Sequence, residues 1–399
     1  MKKVYLDYAA TTSQAKEVTR AMLPYCGKNF GNASSLHQWG QRAREAIEMA
    51  RQQLAEFLNC SSTEVFFTGS ATEADNLAIF GVIKAAQRKA VVKPHIITSA
   101  IEHPAVLGPA RFLEELGEIE TTYLPVGREG IVKASDVEKA IKPNTVLVSI
   151  MYANNEIGTI QPIAKISQLI KKKNSLIHNS KFLILFHTDA VQAANYLDCD
   201  VKKLDVDLLT LSGHKVYGPK GVGVLYVKKG IVIEPIMFGG HQEQSLRPGT
   251  ENVAGIVGFG EAINRIKNQE SRIKSNEKIK KLRDKLLDGI LTKISGTYLN
   301  GSRENRLPNN ANISFKGVEG ESILMALDQK GIAVSTGSAC ASGSLEPSHV
   351  LMALGLSHQQ AHGSIRFTLG RYTTEDEIDY VLGTLPEVIE RLREISPLK

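Results

Sequence analysis

The stretch LTLSGHKVYGPKGVG, residues 209–223, is the most informative part of this sequence. An apolar run over 208–211 predicts a strand, and Lys215 follows its end. A lysine placed there among apolar residues can be partly desolvated. Its amine pKa then falls, and it becomes a nucleophile able to form a Schiff base. The alternative is a surface lysine in a polar turn, where lysines are common.

The residues that follow this strand are polar or small. Strand geometry would place Ser212 and His214 on one face and Gly213 and Lys215 on the other. Four further glycine and proline residues break the chain, and a second apolar run over 222–227 predicts another strand. Two strands joined by a glycine-rich turn are therefore expected around the lysine.

The composition is that of an ordinary globular protein. The 399 residues favour two or three domains, and 42% hydrophobic and 23% charged residues leave ample material for a core. No apolar run approaches the length of a membrane span, and the start MKKVYLDYAATT lacks the long apolar stretch of a secretory signal. The net charge of +6 comes without interleaved aromatic and basic residues, so no direct nucleic-acid binding is expected.

The four cysteines, Cys26, Cys60, Cys199 and Cys340, lie far apart. No pair has the spacing of zinc ligands, and there is no disulfide framework. We therefore expect no metal site, no membrane association and a reducing, cytoplasmic location.

Amphipathic helices alternate with short apolar strands through the first two thirds of the chain, which predicts a mostly parallel sheet covered by helices on both faces. From 251 to about 294 the pattern is almost purely helical, and we place a domain hinge in this stretch. The last hundred residues mix strands and helices, as a smaller α+β domain would. The predicted strands of the first part are 65–68, 95–98, 145–152, 183–187 and 208–211, and the predicted helices are 41–58, 73–89, 104–116 and 163–171.

The segment FTGSATEADN, residues 67–76, favours an anion site. A strand ends at Thr68, Gly69 makes the turn, and Ala71 and Thr72 precede a helix. Free backbone N–H groups at a helix start, with a hydroxyl beside them, bind anions. Serine and threonine are also ordinary helix caps, which is the alternative here.

Other polar residues also follow predicted strands, where α/β sheets place their ligands. They are His103, Asp189, Gln192 and, in MYANNEIG, Asn155. Each has a structural alternative, such as an aspartate paired with an arginine or an asparagine that forms a turn. Together with Lys215 and an anion site, however, they are the residue types that an aldehyde-bearing pyridine with a phosphate needs.

Ordered motifs run almost from end to end of the chain: FTGSATEADNLA, NNEIGTIQPI, HTDAVQA, SGHKVYGPKGVG, RPGTENV, STGSACASGSLEPSHVL and SIRFTLGRYT. Through them the chain resembles the class V aminotransferase-like enzymes and, more narrowly, the cysteine desulfurases of the IscS/NifS type. The resemblance implies pyridoxal 5'-phosphate as cofactor. It also implies the α/β fold type I of PLP-dependent transferases, with a mostly parallel sheet in the large domain and a smaller α+β C-terminal domain. We expect the large PLP-binding domain at 13–262 and the small domain at 1–12 and 263–399.

The resemblance further implies a role for each matching residue. Lys215 would be the Schiff-base lysine, and His103 would stack on the pyridine face and assist proton transfer. Asp189 would pair with the pyridine nitrogen and Gln192 with the ring hydroxyl. The substrate carboxylate would be oriented by Asn155, which also lines the cofactor site, and by Arg366, whose planar fork suits carboxylates. The phosphate would be held by the Ala71 backbone, by Thr72, Ser212 and His214, and by Thr250 of the neighbouring subunit of a homodimer.

Cys340 lies in STGSACASGS, a run of small residues that permits a mobile loop in the small domain. Without the resemblance, a small buried cysteine is the alternative. With it, Cys340 is the sulfur acceptor, whereas Cys26, Cys60 and Cys199 match no such motif.

The implied reaction removes sulfur from L-cysteine and gives L-alanine and a persulfide on Cys340. The sulfur would pass to an acceptor protein such as an iron–sulfur scaffold, with tRNA thiolation as a further destination. The sequence leaves two alternatives to this function. One is another enzyme of the same cofactor class, a transaminase or selenocysteine lyase, and the other is a non-catalytic relative acting in sulfur relay.

Overall fold

The structure is a computed structural model that describes residues 2–176, 182–336 and 346–397. Its strands are β1 (Val4–Tyr5), β2 (Val65–Thr68), β3 (His95–Ser99), β4 (Glu120–Leu124), β5 (Thr145–Ser149), β6 (Leu185–Asp189), β7 (Leu208–Ser212), β8 (Gly223–Val227), β9 (Thr297–Leu299), β10 (Asn310–Phe315), β11 (Ile332–Ala333), β12 (Ser335–Thr336) and β13 (Ser364–Thr368). Its α-helices are α1 (Lys16–Cys26), α2 (Gln38–Leu58), α3 (Ala71–Arg88), α4 (Pro104–Glu115), α5 (Ala134–Ala140), α6 (Ile163–Leu176), α7 (Val201–Leu204), α8 (Val253–Ile266), α9 (Gln269–Lys293), α10 (Gly320–Gln329), α11 (His349–Ala353), α12 (His358–His362) and α13 (Glu375–Ile395).

The large sheet has seven strands in the order β2-β8-β7-β6-β5-β3-β4. Strand β8 is antiparallel to both of its neighbours, and the other pairs are parallel. Successive strand residues face opposite sides, so Leu209 joins the core under α2, α6 and α8, and Leu208 joins the core under α3 and α4. The prediction of a mostly parallel sheet with helices on both faces is confirmed.

The remaining strands form two smaller sheets. One has the order β12-β13-β10-β9 and is antiparallel, and the other pairs β1 with β11 in parallel. The chain from Val4 to Tyr8 lies between β11 and β13, because Leu6 donates its N–H to the Ala333 carbonyl and accepts the N–H of Thr368. The start of the chain therefore contacts its last third, while the boundaries of the two expected domains stay a prediction.

The turn after β7 differs from the expected strand geometry. Strand β7 ends at Ser212, and residues 213–215 form a 3-10 turn instead of continuing the alternation. The N–H of Gly213 makes a last contact with the Val222 carbonyl, and the N–H groups of Val216 and Gly218 then close on the Gly213 carbonyl. The predicted alternation of side chains over 212–215 is therefore wrong, because the backbone hydrogen bonds of Gly213 turn the chain.

No helix within residues 2–176, 182–336 and 346–397 is both long enough and apolar enough to cross a membrane.

A buried ion pair fixes the loop that precedes α8. The Arg51 guanidinium donates from Nη1 and Nη2 to the two carboxylate oxygens of Glu243, each at 2.7 Å, and both side chains are largely buried. Glu243 also accepts the N–H of Phe67 in β2 at 2.7 Å. Glu243 and the two residues after it have left-handed φ angles of 47°, 57° and 65°. Three contacts to one carboxylate hold this strained segment against the large sheet.

Replacing Glu243 with alanine should lower the free energy of unfolding by about 3–5 kcal/mol, because Arg51 would keep a buried charge without its partner. Denaturant unfolding followed by circular dichroism measures this. Glu48→Ala is the control, because Glu48 contacts the same guanidinium at 3.1 Å but is 49% exposed, and it should cost less than about 1 kcal/mol. Equal losses in the two variants would contradict the prediction.

Candidate active site

The carboxyl ends of the central strands open into a cavity of about 470 Å³. Parallel strands place the residues that follow them at one edge of the sheet, so the cavity collects side chains from distant parts of the chain. Thr250 is not among the residues lining it, and Cys340 lies outside the residues that the structure describes. The predicted residues that line it are Ala71, Thr72, His103, Asn155, Asp189, Gln192, Ser212, His214, Lys215 and Arg366.

Lys215 lies in the turn after β7 and lines this cavity. Its Nζ donates hydrogen bonds to the carbonyl oxygens of Ala9 at 2.5 Å and Ala10 at 2.8 Å. The start of the chain therefore helps to hold the amine at the cavity wall. This placement favours a nucleophilic lysine over a surface lysine in a polar turn.

The N-terminus of α3 forms the anion-binding end of the cavity. Ser70 caps the helix by accepting the N–H of Glu73 at 3.1 Å. The N–H groups of Ala71 and Thr72, in the first turn, have no partner within the helix and can bind an anion. Capping and anion binding are therefore carried by different residues. A Cβ on Gly223 would lie 2.4 Å from the Ser70 carbonyl carbon, so only glycine lets β8 approach this turn so closely.

Asp189 ends β6 with its carboxylate buried at the cavity wall. Its Oδ1 accepts the N–H of Val191 at 2.9 Å. Burial raises the pKa of Asp189, while the Val191 N–H and the Lys215 charge act in the opposite direction. A buried carboxylate is stabilised by a cation against it, and a protonated ring nitrogen is such a cation. Gln192 lies one turn further on and donates from Nε2 to the Ala9 carbonyl at 3.0 Å.

His103 sits at the start of α4, across the cavity. Its Nδ1 accepts the N–H of Ala105 at 3.1 Å, so the hydrogen of the neutral ring is on Nε2. Burial, with the charges of Lys215 and His349, lowers the pKa of His103 to about 4. The ring is therefore neutral near pH 7, and its Nε2–H can act as a hydrogen-bond donor.

Arg366 on β13 also lines the cavity and is 2% exposed. Its Nη2 donates to Asp7 Oδ1 at 2.8 Å and its Nη1 to the backbone carbonyl of Asn155 at 3.1 Å. Among the described residues its Nε has no hydrogen-bond partner. Asn155 thus contacts the arginine through its backbone, and Arg366 lines the cavity with a group suited to a carboxylate ligand.

Two buried acids at the site were not assigned from the sequence, and Asp75 is the first. It is 1% exposed, lines the cavity, and within the described part of the chain its Oδ1 has no hydrogen-bond partner. Burial raises the pKa of Asp75 well above its usual range, the Asp189 and Glu102 charges add to this, and the Thr210 hydroxyl opposes it. His187 Nε2 lies 3.6 Å from Asp75, but burial lowers the pKa of His187 to about 3, so the ring is neutral and forms no ion pair.

Glu102, directly before His103, is the second acid. It accepts hydrogen bonds from the Ser99 hydroxyl at 2.5 Å and from the Met151 N–H, and burial raises its pKa to about 8. It ties the end of β3 to the segment that carries Asn155. The only signal for such acids in the sequence is a carboxylate next to an apolar run.

Replacing Asp75 with asparagine should make the protein more stable at pH 7. In the unfolded chain an aspartate ionises near pH 4, whereas buried Asp75 keeps its proton to higher pH. The free energy of unfolding of the wild-type protein therefore falls by about 1.4 kcal/mol for each rise of one pH unit in this window, and that of the variant does not. The thermal midpoints of the wild-type protein and of Asp75→Asn, measured from pH 4 to 8, should differ more and more as the pH rises above 4. A constant difference at every pH would show that Asp75 is ionised in the fold.

The fold and the cavity wall define an enzyme class. Fold type I PLP enzymes have a large, mostly parallel sheet with a lysine at a strand end, a buried acid and an anion-binding helix start, as this protein does. The model of the family Aminotransferase class-V matches residues 4–381. The chain belongs to this family, and the predicted family and cofactor are confirmed, since these enzymes depend on pyridoxal phosphate.

Individual relatives narrow the class to cysteine desulfurases. The chain is 52% identical over 399 residues to cysteine desulfurase IscS of Dictyoglomus turgidum, covering 100% of this chain and 97% of that protein. It is 46% identical to cysteine desulfurase IscS 1 of Archaeoglobus fulgidus, with 99% of each chain covered. A solved NifS-like protein superposes with a TM-score of 0.89 at 38% identity, covering 98% of this chain and 100% of that one. SspA, solved in complex with cysteine, superposes with a TM-score of 0.79 at 37% identity, covering 93% of this chain and 100% of that one.

Proposed function

We propose that this protein is a pyridoxal-phosphate-dependent cysteine desulfurase that converts L-cysteine to L-alanine and passes the sulfur to Cys340. The observation that carries this proposal is one cavity that holds Lys215, His103 and Asp189 together with the buried guanidinium of Arg366. Full-length relatives that are cysteine desulfurases support it.

The residues of the cavity fit the cofactor. The Ala71 and Thr72 N–H groups, Ser212 and His214 would hold its phosphate, and Asp189 would face its ring nitrogen. The buried carboxylate of Asp189 fits this role, because it accepts the N–H of Val191 at the cavity wall and a cationic ring edge there would stabilise it. Pyridoxal phosphate, when bound, supplies an electron sink for a carbanion at the substrate Cα.

The protein side of the chemistry is proton movement and orientation. Arg366 would bind the substrate carboxylate, which fixes the Cα–H bond relative to the lysine. Lys215 Nζ would remove the Cα proton, and His103, on a ring that is neutral near pH 7, would assist by donating a hydrogen bond from its Nε2–H to the substrate sulfur.

The sulfur step joins two thiols without an external oxidant. The Cys340 thiolate attacks the substrate sulfur, an S–S bond forms, and the C–S bond of the substrate breaks. The electron pair of that bond stays on the carbon, which takes up protons and leaves as L-alanine. L-cysteine and one protein thiol thus give L-alanine and one persulfide. Cys340 lies outside the described residues, so this role rests on its sequence motif.

Purified protein loaded with the cofactor tests the proposal. L-cysteine should yield L-alanine, with sulfide in the presence of a reductant, and mass spectrometry should find one added sulfur on Cys340. Amino transfer to a keto acid without sulfur release would support a transaminase instead. Turnover of selenocysteine alone would support a selenocysteine lyase, and no turnover of any amino acid would support a non-catalytic relay protein.

We also propose a homodimer with shared sites. Thr250 does not line the cavity of its own chain, as expected of a residue that serves the phosphate of a neighbour. Light scattering should give a dimer, and Thr250→Ala should weaken cofactor affinity about tenfold, the loss expected for one hydrogen bond to a charged group. A fully active monomer at working concentration would contradict shared sites.

The sulfur acceptor and the location follow from the same chemistry. A protein such as an iron–sulfur scaffold, with tRNA thiolation as a further use, would take the sulfur from Cys340. The persulfide is a reactive group, and a reducing cytoplasm suits it because the cysteine must return to a free thiol after each transfer. A pull-down with the persulfidated enzyme would identify the acceptor.

A further inference from the structure

We propose that Asp7 is a positioning residue for the substrate carboxylate, acting through Arg366. The inference rests on the proposed role of Arg366 as the carboxylate anchor. Asp7 belongs to the motif YLDYAATT near the start of the chain.

The contacts of Arg366 carry this inference. Its side chain is 2% exposed, so its charge must be balanced inside the fold. Asp7 Oδ1 accepts from Nη2 at 2.8 Å, and the Asn155 carbonyl accepts from Nη1 at 3.1 Å. These two acceptors fix the rotation of the planar guanidinium. The guanidinium is thereby held in one orientation at the cavity that Arg366 lines.

Asp7 is itself held in place by the backbone. Its neighbour Leu6 bonds to β11 on one side and to β13 on the other, and Tyr8 donates its N–H to the Thr368 carbonyl at 3.2 Å. Thr368 lies two residues after Arg366 on the same strand. The acid and the arginine are thus fixed by one strand, which gives their ion pair little freedom to shift.

The other acid near Arg366 cannot replace Asp7. Glu156 is buried, accepts a hydrogen bond from the Ser348 hydroxyl, and has its pKa raised to about 7 by burial. It is therefore partly protonated near pH 7, whereas Asp7 is partly exposed and makes the direct contact. Without Asp7 the guanidinium would lose its fixed orientation and its main counter-charge together.

Asp7→Ala in the cofactor-loaded protein tests the proposal. We expect KM for L-cysteine to rise about tenfold or more, the effect of one misplaced charge-assisted contact, with kcat within about threefold of wild type. The affinity for L-alanine, read from the change in visible spectrum on binding, should fall by the same factor. This second measurement needs no sulfur transfer, so it tests Asp7 even if the proposed reaction is wrong.

Two further variants separate positioning from general structure. Asp7→Asn keeps an oxygen for Nη2 and should restore most of the L-alanine affinity. Asp288→Ala removes a surface aspartate that contacts Arg303, with both side chains 56% exposed, and should leave KM unchanged. Unchanged L-alanine affinity in Asp7→Ala would overturn the proposal. So would a loss of pyridoxal phosphate affinity together with the thermal midpoint, because that pattern would show a structural role.

Discussion

Replacing Lys215 with alanine should abolish the visible absorption band of the lysine-bound cofactor and lower cysteine turnover by about four orders of magnitude. Lys215 supplies the protein amine of the proposed mechanism, and its Nζ is held at the cavity wall by two backbone carbonyls. Alanine offers neither a nucleophile nor a proton acceptor at this position. Absorbance spectra and L-alanine production measure the two effects separately.

Cofactor affinity should fall less than turnover in this variant. The phosphate contacts at the start of α3 and the acid Asp189 are unchanged by the substitution, so some cofactor should bind without the lysine. Lys229→Ala, which changes an exposed lysine after β8, is the matched control and should keep both the band and the activity. An unchanged band and turnover in Lys215→Ala would remove the lysine from its proposed role.

Replacing Cys340 with serine should lower sulfur transfer at least about a hundredfold, because a hydroxyl is a far poorer nucleophile toward sulfur than a thiolate. The visible band and its response to L-cysteine should remain, since the cavity residues are untouched. L-alanine release and persulfide mass spectrometry measure the loss. Full desulfurase activity in this variant would overturn the proposed acceptor.

The other cysteines cannot readily take over this role. Burial raises the pKa of both the Cys60 and the Cys199 thiols to about 12, so neither forms an appreciable thiolate near pH 7. Cys26 is exposed and bonds weakly to the Met22 carbonyl at 3.6 Å. Cys26→Ser is therefore the control, and it should leave turnover unchanged. Added sulfur found on Cys26 would contradict the assignment.

Much of the large sheet could be predicted from the sequence. The runs over 65–68 and 208–211 became β2 and β7 almost residue for residue, because apolar strands bounded by glycine or polar residues have few other conformations. The predicted strand over 183–187 instead lies at Leu185–Asp189, since apolar residues in a buried strand look alike and its register is set by pairing with β5 and β7. The 3-10 turn at Lys215 depends on backbone hydrogen bonds that no local pattern shows.

The site was predictable where a residue type has few other uses after a strand. Asp189 ends a strand, Lys215 and His103 each follow one, and the structure brings the three to one cavity. Asp7 and Asp75 were missed for different reasons. The contact of Asp7 with Arg366 joins residues 359 positions apart, which a local reading cannot detect. Asp75 lies in α3, whose sequence shows a capping residue followed by an apolar face. Only its burial in the structure marks this aspartate as part of the site.

The position of residues 4–8 between β11 and β13 constrains the order in which parts of the protein can fold. Residues 4–8 are made well before their partners at 332–368, which leave the ribosome on the order of 20–60 s later at ordinary synthesis rates. The large sheet, whose strands end at Val227, can assemble during that delay. The carboxylate of Asp7 cannot pair with Arg366 beforehand. We therefore expect a nascent chain to lack the paired Asp7–Arg366 wall of the cavity until the residues of β13 have left the ribosome.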